Sequence, residues 1–504
     1  MNRVLKIVGA VAVINILARM FGFLREVIIG VQYGTTLRAD NIINAYTIPN
    51  FLYLVIGGAF TTAFISIYHK TNASKQDYIR RTFTTILITI TIVSIVFMFL
   101  ADPILHWYFK QSSGAEYELL KSLYMWMLPS TIMLVLSTWL SGILNVQGKY
   151  NLSSFSVLIY NLSFLIISVG LSLIIGPVGY GIGALIGAGC MFFFLVYGVR
   201  KAEHMSFKPS LMRAEDQKEL WKVALPIMLG GATAQMYIII QRFFTNDLSD
   251  GVVSGMNYAT KMSQFPQAIL MTAVTTVIFP MLSKKEGEGD TEAIKALYIR
   301  GLRLLYLLVM PISVYFYFQP EVIVKSIFEY FNFNAESTAI TAPLVKLFSI
   351  SMFFLAANMY VTRFYYAKGN SMTPVIFSLF TVFGVNIAVI YAFIDDLGAD
   401  AIAWGTIVSA IVNFILLVLY LQTKYKLAIV QRNVMQFVKF FVLTIVFIAL
   451  TSLITEFIVI DFKWLHMIVT FLLTCVVYVV LLVLFKFTEL NNLVVKVKKK
   501  VLKK

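Results

Sequence analysis

The sequence predicts an all-α polytopic membrane protein with about 14 transmembrane helices in two lobes around a central cavity. Three observations carry the membrane assignment. Of the 504 residues, 59% are hydrophobic and only 13% charged, and the mean hydropathy is +0.82, which excludes a soluble globular protein of this length. Apolar windows of about twenty residues, the length that crosses a bilayer core, recur along the whole chain. Lys and Arg gather in every second loop, as retention of basic residues on the cytoplasmic side requires.

The first segment, near 7–32, follows Arg3 and Lys6, and the second, 40–66, ends at Lys70. Lys75, Arg80 and Arg81 precede the third, 82–106, and Lys110 separates it from the fourth, 118–143. The fifth, 152–176, and sixth, 178–199, lead to Arg200, Lys201 and Arg213. Asp247 and Asp250 divide the seventh, 219–242, from the eighth, 253–281, and Lys284, Lys285 and Arg300 mark the next basic stretch. Lys325 lies between the ninth, 298–320, and the tenth, 339–366. Asp395, Asp396 and Asp400 surround the junction of the eleventh, 374–395, with the twelfth, 398–422. Lys424, Lys426 and Arg432 then precede the thirteenth, 436–458, and Lys463 opens the fourteenth, 463–487.

Most of the 41 Lys and Arg residues fall in the even-numbered loops and the tails. Both termini are therefore expected in the cytoplasm. The net charge of +16 reads as a topology signal, and no basic folded face suggests nucleic acid. The lysines from Lys496 to Lys504 form a solvated tail that can also touch anionic membrane lipids. Cys190 and Cys475 both sit in apolar segments, which suggests neither a disulfide nor a thiolate metal site. The length and internal arginines of the first segment argue against a cleaved signal peptide.

The longest cytoplasmic loop carries mixed charge and Pro209. It divides the chain into an N-terminal lobe, 1–200, a linker, 201–218, a C-terminal lobe, 219–425, a further helix pair, 436–487, and a basic tail, 488–504. A faint repeat supports the division. Asn44, Tyr46, Pro49, Thr61-Thr62 and Lys70 of the second segment are echoed by Asn257, Tyr258, Pro266, Thr275-Thr276 and Lys284 of the eighth. Two parallel bundles leave a cleft between them, where alternating-access carriers place substrate.

The first segment carries Arg19, Arg25 and Glu26. A central Arg costs roughly 2.5 to 3.5 kcal/mol in a membrane helix, whereas each Leu, Ile, Val or Phe returns only about 0.3 to 0.6. These charges need a polar interior, and a substrate pathway is the default reading. On an ideal helix Arg19 and Arg25 point about 120° apart, and Gly22 between them is a candidate hinge that would aim both into one cavity. Guanidinium forks suit phosphate oxygens, so the pair is read as an anion site, with an ion pair of Arg25 to Glu26 or another carboxylate as the alternative. Lys261, partway into the eighth segment, is assigned to the cavity. Arg242 is either a cavity residue or an interfacial anchor, and Asp40 either balances the arginines or caps the second helix. No Walker A, HExxH or nucleophile-elbow pattern is found, and the four His residues do not cluster, so an enzyme and a bound cofactor have little support.

These residues resemble the lipid II flippase family MurJ, also called MviN, of the multidrug/oligosaccharidyl-lipid/polysaccharide exporter superfamily. The likeness lies in Leu17-Ala18-Arg19-Met20-Phe21-Gly22-Phe23-Leu24-Arg25-Glu26, Ala39-Asp40, Ile48-Pro49-Asn50-Phe51-Leu52 and Gly58-Ala59-Phe60. It continues in Tyr258-Ala259-Thr260-Lys261, Phe265-Pro266 and Phe279-Pro280-Met281-Leu282-Ser283-Lys284. The resemblance implies two lobes in a V, a cationic cavity matched by Arg19, Arg25 and Asp40, and a groove at the last two helices for a polyprenyl tail. It implies alternating access that carries a lipid-linked disaccharide-pentapeptide from the inner to the outer leaflet. Lys261 stands where the family usually has Arg. The chain departs from the family at Phe51-Leu52-Tyr53-Leu54, where two basic residues are common, and at Gly57, Thr260 and Gln264, where acids are common.

The expectation is a flippase for the peptidoglycan precursor lipid II in a bacterial plasma membrane, driven by a coupling ion or the membrane potential. The departures leave another polyprenyl-linked glycan as the alternative substrate. A cation-coupled multidrug exporter would need acids in the cavity, and a scaffold for cell-wall synthesis proteins would make the charges interfacial pairs.

Overall fold

The computed structural model describes residues 3–68, 74–109, 114–203, 208–211, 214–427 and 434–487. Lys70, Lys110, Arg213, Arg432 and the tail 488–504 lie outside the described residues, as do the side chains of Arg3, Lys6, Thr275 and Thr276. Among the described residues every regular element is helical. Hydrocarbon imposes this, because a helix satisfies its backbone N–H and C=O groups within its own segment.

The elements run α1 (Arg3–Tyr33), α2 (Leu37–Leu52), α3 (Gly58–Tyr68), α4 (Lys75–Phe99), α5 (Ala101–Tyr108), α6 (Gly114–Val146), α7 (Tyr150–Ile175), α8 (Val178–Glu203) and α9 (Ala214–Thr245). They continue as α10 (Val252–Gly287), α11 (Thr291–Phe318), α12 (Pro320–Ile327), α13 (Ala335–Ala367), α14 (Met372–Leu379), α15 (Ile387–Leu397), α16 (Ala399–Tyr425), α17 (Val434–Phe457) and α18 (Lys463–Leu484). A π-helical turn at Tyr53–Gly57 joins α2 to α3 as one span, and a second at Phe380–Asn386 joins α14 to α15.

Eleven helices among the described residues are long and apolar enough to cross a membrane. A twelfth is α9, whose parts Gln217–Thr233 and Gln235–Thr245 meet at 43°, just past the Gly230-Gly231 pair. The fourteen crossings expected from sequence are thus not all accounted for. The remaining two, α1 and α10, have 31 and 36 residues, more than the roughly 20 that a crossing needs, but stand outside the set.

The order of elements repeats. The short helices α5 and α12 have 8 residues each, and each precedes a helix of 33 residues, α6 or α13. A crossing of 26 residues follows in both cases, α7 and the joined Met372–Leu397 helix.

Packing divides the chain into two compact units, Met1–Tyr258 with Phe331–Phe333, and Ala259–Tyr330 with Asn334–Lys504. This division falls inside α10 and differs from the linker at 201–218. The reason is that α9 packs on the first helices. Trp221 meets Phe60 edge-on at 5.1 Å, and the Tyr108 hydroxyl donates to the Ile239 carbonyl at 2.5 Å.

In the first unit, Phe64 stacks on Tyr78 at 5.6 Å and meets Trp139 edge-on at 5.5 Å. Helix α8 lies against α7 so closely that a Cβ on Gly183 would fall 2.8 Å from Ser168 Cα, and one on Gly187 3.0 Å from the Phe164 amide nitrogen. Small residues permit this approach, and it fixes the backbone that carries Phe164. The outlying residues Phe331–Phe333 close the end of α1. The Asn332 backbone N–H donates to the Val31 carbonyl at 3.1 Å and its side-chain amide to the Gln32 carbonyl at 2.6 Å, satisfying acceptors that a helix end leaves open. Phe333 packs beside Tyr258.

In the second unit, Tyr298, Tyr360, Phe364 and Tyr365 form a buried aromatic core. Helices α17 and α18 pack on α11 through Leu443, Phe447 and Tyr478 against Leu307, Met310 and Val314. Their other faces expose Phe441, Ile445, Leu472 and Val476, a surface suited to lipid.

Candidate functional site

On the second half of α1, Ala18, Glu26 and Ile29 are buried, spaced so that they share one face of the helix. Arg25 joins that face, with its side chain 12% exposed. Arg19 lies beside it and is exposed. The helix runs without interruption through Gly22, so the break expected there is absent, and Arg19 and Arg25 keep the divergent directions of an ideal helix. A side chain at Gly22 would meet the Asn161 amide at 3.5 Å, and Asn161 donates to the Ala18 carbonyl at 3.1 Å.

Arg25 donates to Glu26 Oε1 through Nη2 at 2.7 Å and Nε at 3.3 Å. Its guanidinium stands over the Phe164 ring at 4.7 Å and the Tyr46 ring at 5.3 Å. Such stacking is worth about 2 kcal/mol when desolvated. The ion pair that the sequence leaves as an alternative is therefore present, within a cluster contributed by the three helices α1, α2 and α7. Tyr46 and Tyr160 share a hydrogen bond at 3.2 Å behind the stacked rings.

The second carboxylate oxygen of Glu26 accepts from Asn257 Nδ2 of α10 at 2.7 Å. Asn257 Oδ1 in turn accepts from Arg242 Nη2 of α9 at 2.6 Å, and Arg242 Nη1 donates to the Val253 carbonyl at 2.8 Å. Arg242 is 6% exposed and its Nε has no hydrogen-bond partner. It is thus a buried member of this network and not an interfacial anchor. Just past the end of α9, Asn246 accepts from Asn44 Nδ2 at 2.8 Å, and Asn44 Oδ1 is also unpartnered.

Asp40 takes neither role expected of it. Thr36 occupies the N-cap of α2, and the Asp40 carboxylate, 3% exposed, accepts from the backbone N–H groups of Gly251 and Ser254 at 2.7 Å each. It caps α10 from a neighbouring helix, where the helix dipole favours an anion. Gly251 has φ +84° and packs against Thr35, a backbone that only glycine adopts without strain. Lys261 is partly buried in α10, one turn beyond Asn257, and lies in the second compact unit.

The structure therefore gathers Arg25, Glu26 and Arg242, leaves Arg19 apart and gives Asp40 a structural task. Sequence reasoning places Asn44, Tyr46 and Asn257 only in the repeat and gives Phe164 no role. An Asn facing a charge in an apolar segment is the signal that could have marked Asn257.

A family model described as "Lipid II flippase MurJ" matches residues 31–482. The lipid II flippase MurJ of Burkholderia cenocepacia is 25% identical over 81% of this chain and 82% of its own. The probable lipid II flippase MurJ of Rickettsia prowazekii is 26% identical over 83% of this chain and 84% of its own. A structure of lipid II flippase MurJ in an inward closed conformation superposes with a TM-score of 0.81 at 21% identity, covering 96% of this chain and 99% of that one.

Proposed function

Because the chain belongs to the lipid II flippase MurJ family, we infer that it is the flippase that moves lipid II, the undecaprenyl-diphosphate-linked peptidoglycan precursor, from the inner to the outer leaflet of a bacterial plasma membrane. The observation that carries the mechanism is Arg25, a guanidinium held at the edge of burial by Glu26 and two aromatic rings. A diphosphate cannot cross hydrocarbon unaided, and a fixed Arg fork offers it paired donors in a low dielectric. Arg19, exposed on the same helix, and Lys261 are assigned as further contacts to the headgroup.

In this reading two lobes rock in alternating access, the glycan and peptide pass through the wet interior, and the isoprenoid stays in lipid along α17 and α18. Both termini are cytoplasmic, as the basic loops support. A transporter of this kind draws on a coupling ion or on the membrane potential, at about 2.3 kcal/mol per charge per 100 mV. Cell-wall synthesis proteins are proposed as further partners.

The test is the accessibility of lipid II at the outer leaflet after depletion of the protein, with complementation by wild type and by Arg25→Ala. Wild type restores outward lipid II, and Arg25→Ala restores less than about a tenth of it. Unchanged lipid II on depletion would remove the reading. Accumulation of a different lipid-linked glycan would select the second substrate reading, which Phe51, Leu52, Gly57, Thr260 and Gln264 favour by making the site less charged than is usual in the family.

A further inference from the structure

Glu26 engages Arg25 through one oxygen. Oε1 accepts from Nε at 3.3 Å and from Nη2 at 2.7 Å. Three of the five N–H donors of the guanidinium, two on Nη1 and one on Nη2, therefore have no hydrogen-bond partner among the described residues. A diphosphate can take that edge while Glu26 stays in place. A fork on a single oxygen, however, lets the guanidinium plane roll about that oxygen, and paired recognition of phosphate needs the plane fixed. The rings supply the restraint. Phe164 is the nearer, at 4.7 Å against 5.3 Å for Tyr46. It is 3% exposed, and the rings of Tyr46 and Tyr160 pack on it at 6.3 and 5.8 Å.

We propose that Phe164 is a positioning residue for the diphosphate contact: its ring fixes the plane of the Arg25 guanidinium, so that the open edge presents paired donors to phosphate oxygens. The backbone beneath the ring is held as firmly as the ring itself. Gly179, Gly183 and Gly187 recur every fourth residue on one face of α8, opposite Ser172, Ser168 and Phe164 of α7. A Cβ on these glycines would fall 2.5 Å from the Ser172 amide nitrogen, 2.8 Å from Ser168 Cα and 3.0 Å from the Phe164 amide nitrogen. Two backbones in such contact leave α7 no room to move toward α8. Helix α8 gives Arg25 no hydrogen bond or ring contact among the described residues. It nevertheless bears on the headgroup through Gly187, because a methyl there must push the backbone of Phe164 by a few tenths of an ångström.

The inference rests on Arg25 as the diphosphate contact, and the experiment separates the two. The full-length protein in lipid nanodiscs is titrated with farnesyl diphosphate as the probe. Wild type is compared with Arg25→Ala, Arg25→Lys, Phe164→Leu, Phe164→Tyr, Gly187→Ala, Gly189→Ala and the double variant Arg25→Lys/Phe164→Leu. Phe164→Leu keeps an apolar side chain but removes the flat face, and is expected to weaken binding about five- to tenfold. Phe164→Tyr keeps the ring and stays within about twofold of wild type. A Lys ammonium has no plane to fix, so in the Arg25→Lys background Phe164→Leu changes the Kd less than about twofold. An equal loss in both backgrounds, or a loss in Phe164→Tyr as large as in Phe164→Leu, overturns the proposal. Gly187→Ala is expected to weaken binding about threefold through the displaced ring. Gly189→Ala, whose Cβ meets only the Met133 sulfur at 3.6 Å, leaves the Kd unchanged. Equal values for these two glycine variants would mean that the ring is placed without α8. If Arg25→Ala leaves the Kd unchanged, the reading of Arg25 fails and the proposal with it. If Arg25→Ala abolishes binding while Phe164→Leu binds as wild type does, only the proposal fails. Should Gly187→Ala not fold, the cycle of Phe164→Leu with Arg25→Lys decides alone.

Discussion

Asp40 shows how far a residue can be from its apparent role. In the sequence it is an acid near two arginines and near a helix start, and both features suggest a job on its own side of the chain. The structure sends its carboxylate to two backbone donors of α10. Nothing in the local sequence could reveal this, since the partners are 211 and 214 positions away and are main-chain atoms. Charged hydrogen bonds of this buried kind contribute roughly 1.5 to 3 kcal/mol each. Asp40→Asn retains one acceptor and is expected to cost about 1 to 3 kcal/mol, read as a lowered midpoint of thermal unfolding in detergent. Arg25 and Glu26, by contrast, were legible because a charge in an apolar run is conspicuous wherever it ends up.

At the scale of elements, hydropathy located the helices well because length and apolarity are local properties. It did not find the π-helical turns within the Leu37–Tyr68 and Met372–Leu397 spans, since a local change of backbone hydrogen-bond register leaves no mark on apolarity. The spacing of Arg19 and Arg25 suggested a bend at Gly22, yet the bend lies in α9. A glycine permits a kink without requiring one, and Gly22 is instead backed by Asn161. Helix α11 starts at Asp290, whose carboxylate accepts from the Ala293 N–H at 3.1 Å and pairs with Lys285 at 3.0 Å. The backbone hydrogen bond, and then Lys285, hold this exposed carboxyl below the usual aspartate range. The cap is thus fully formed above the ordinary aspartate pKa and is lost as pH falls through the depressed one. Hydrogen exchange at residues 291–294 is expected to speed up over that acidic interval, and Asp290→Ala to remove the pH dependence while leaving the rest of α11 protected.

For the whole molecule, the charge pattern spoke most clearly about orientation and least about packing. Alternating basic loops predict which side each segment end faces, whereas the association of α9 with α2 and α3 is a contact between distant segments that no periodicity encodes. That is why the chain divides between the two units inside α10 while the linker 201–218 looks like a boundary in the sequence. The orientation itself is open to a direct measurement. With Cys190 and Cys475 replaced by Ser, single substitutions Lys285→Cys and Asp396→Cys are expected to react with a membrane-impermeant maleimide from opposite sides, Asp396→Cys in intact cells and Lys285→Cys only after permeabilisation. Labelling of both from the same side would break the assignment of alternate loops.

The cap that Asp40 places on α10 also bears on how such chains can be recombined. A hybrid joining the first half of this protein to the second half of a relative would inherit the acid from one parent and its backbone N–H donors from the other. Unless the donor half brings a glycine and a following turn in the register of Gly251 and Ser254, the seam leaves a buried anion facing nothing. Compatibility between halves is therefore decided at this junction of three residues, well before sequence similarity over the remainder comes into play.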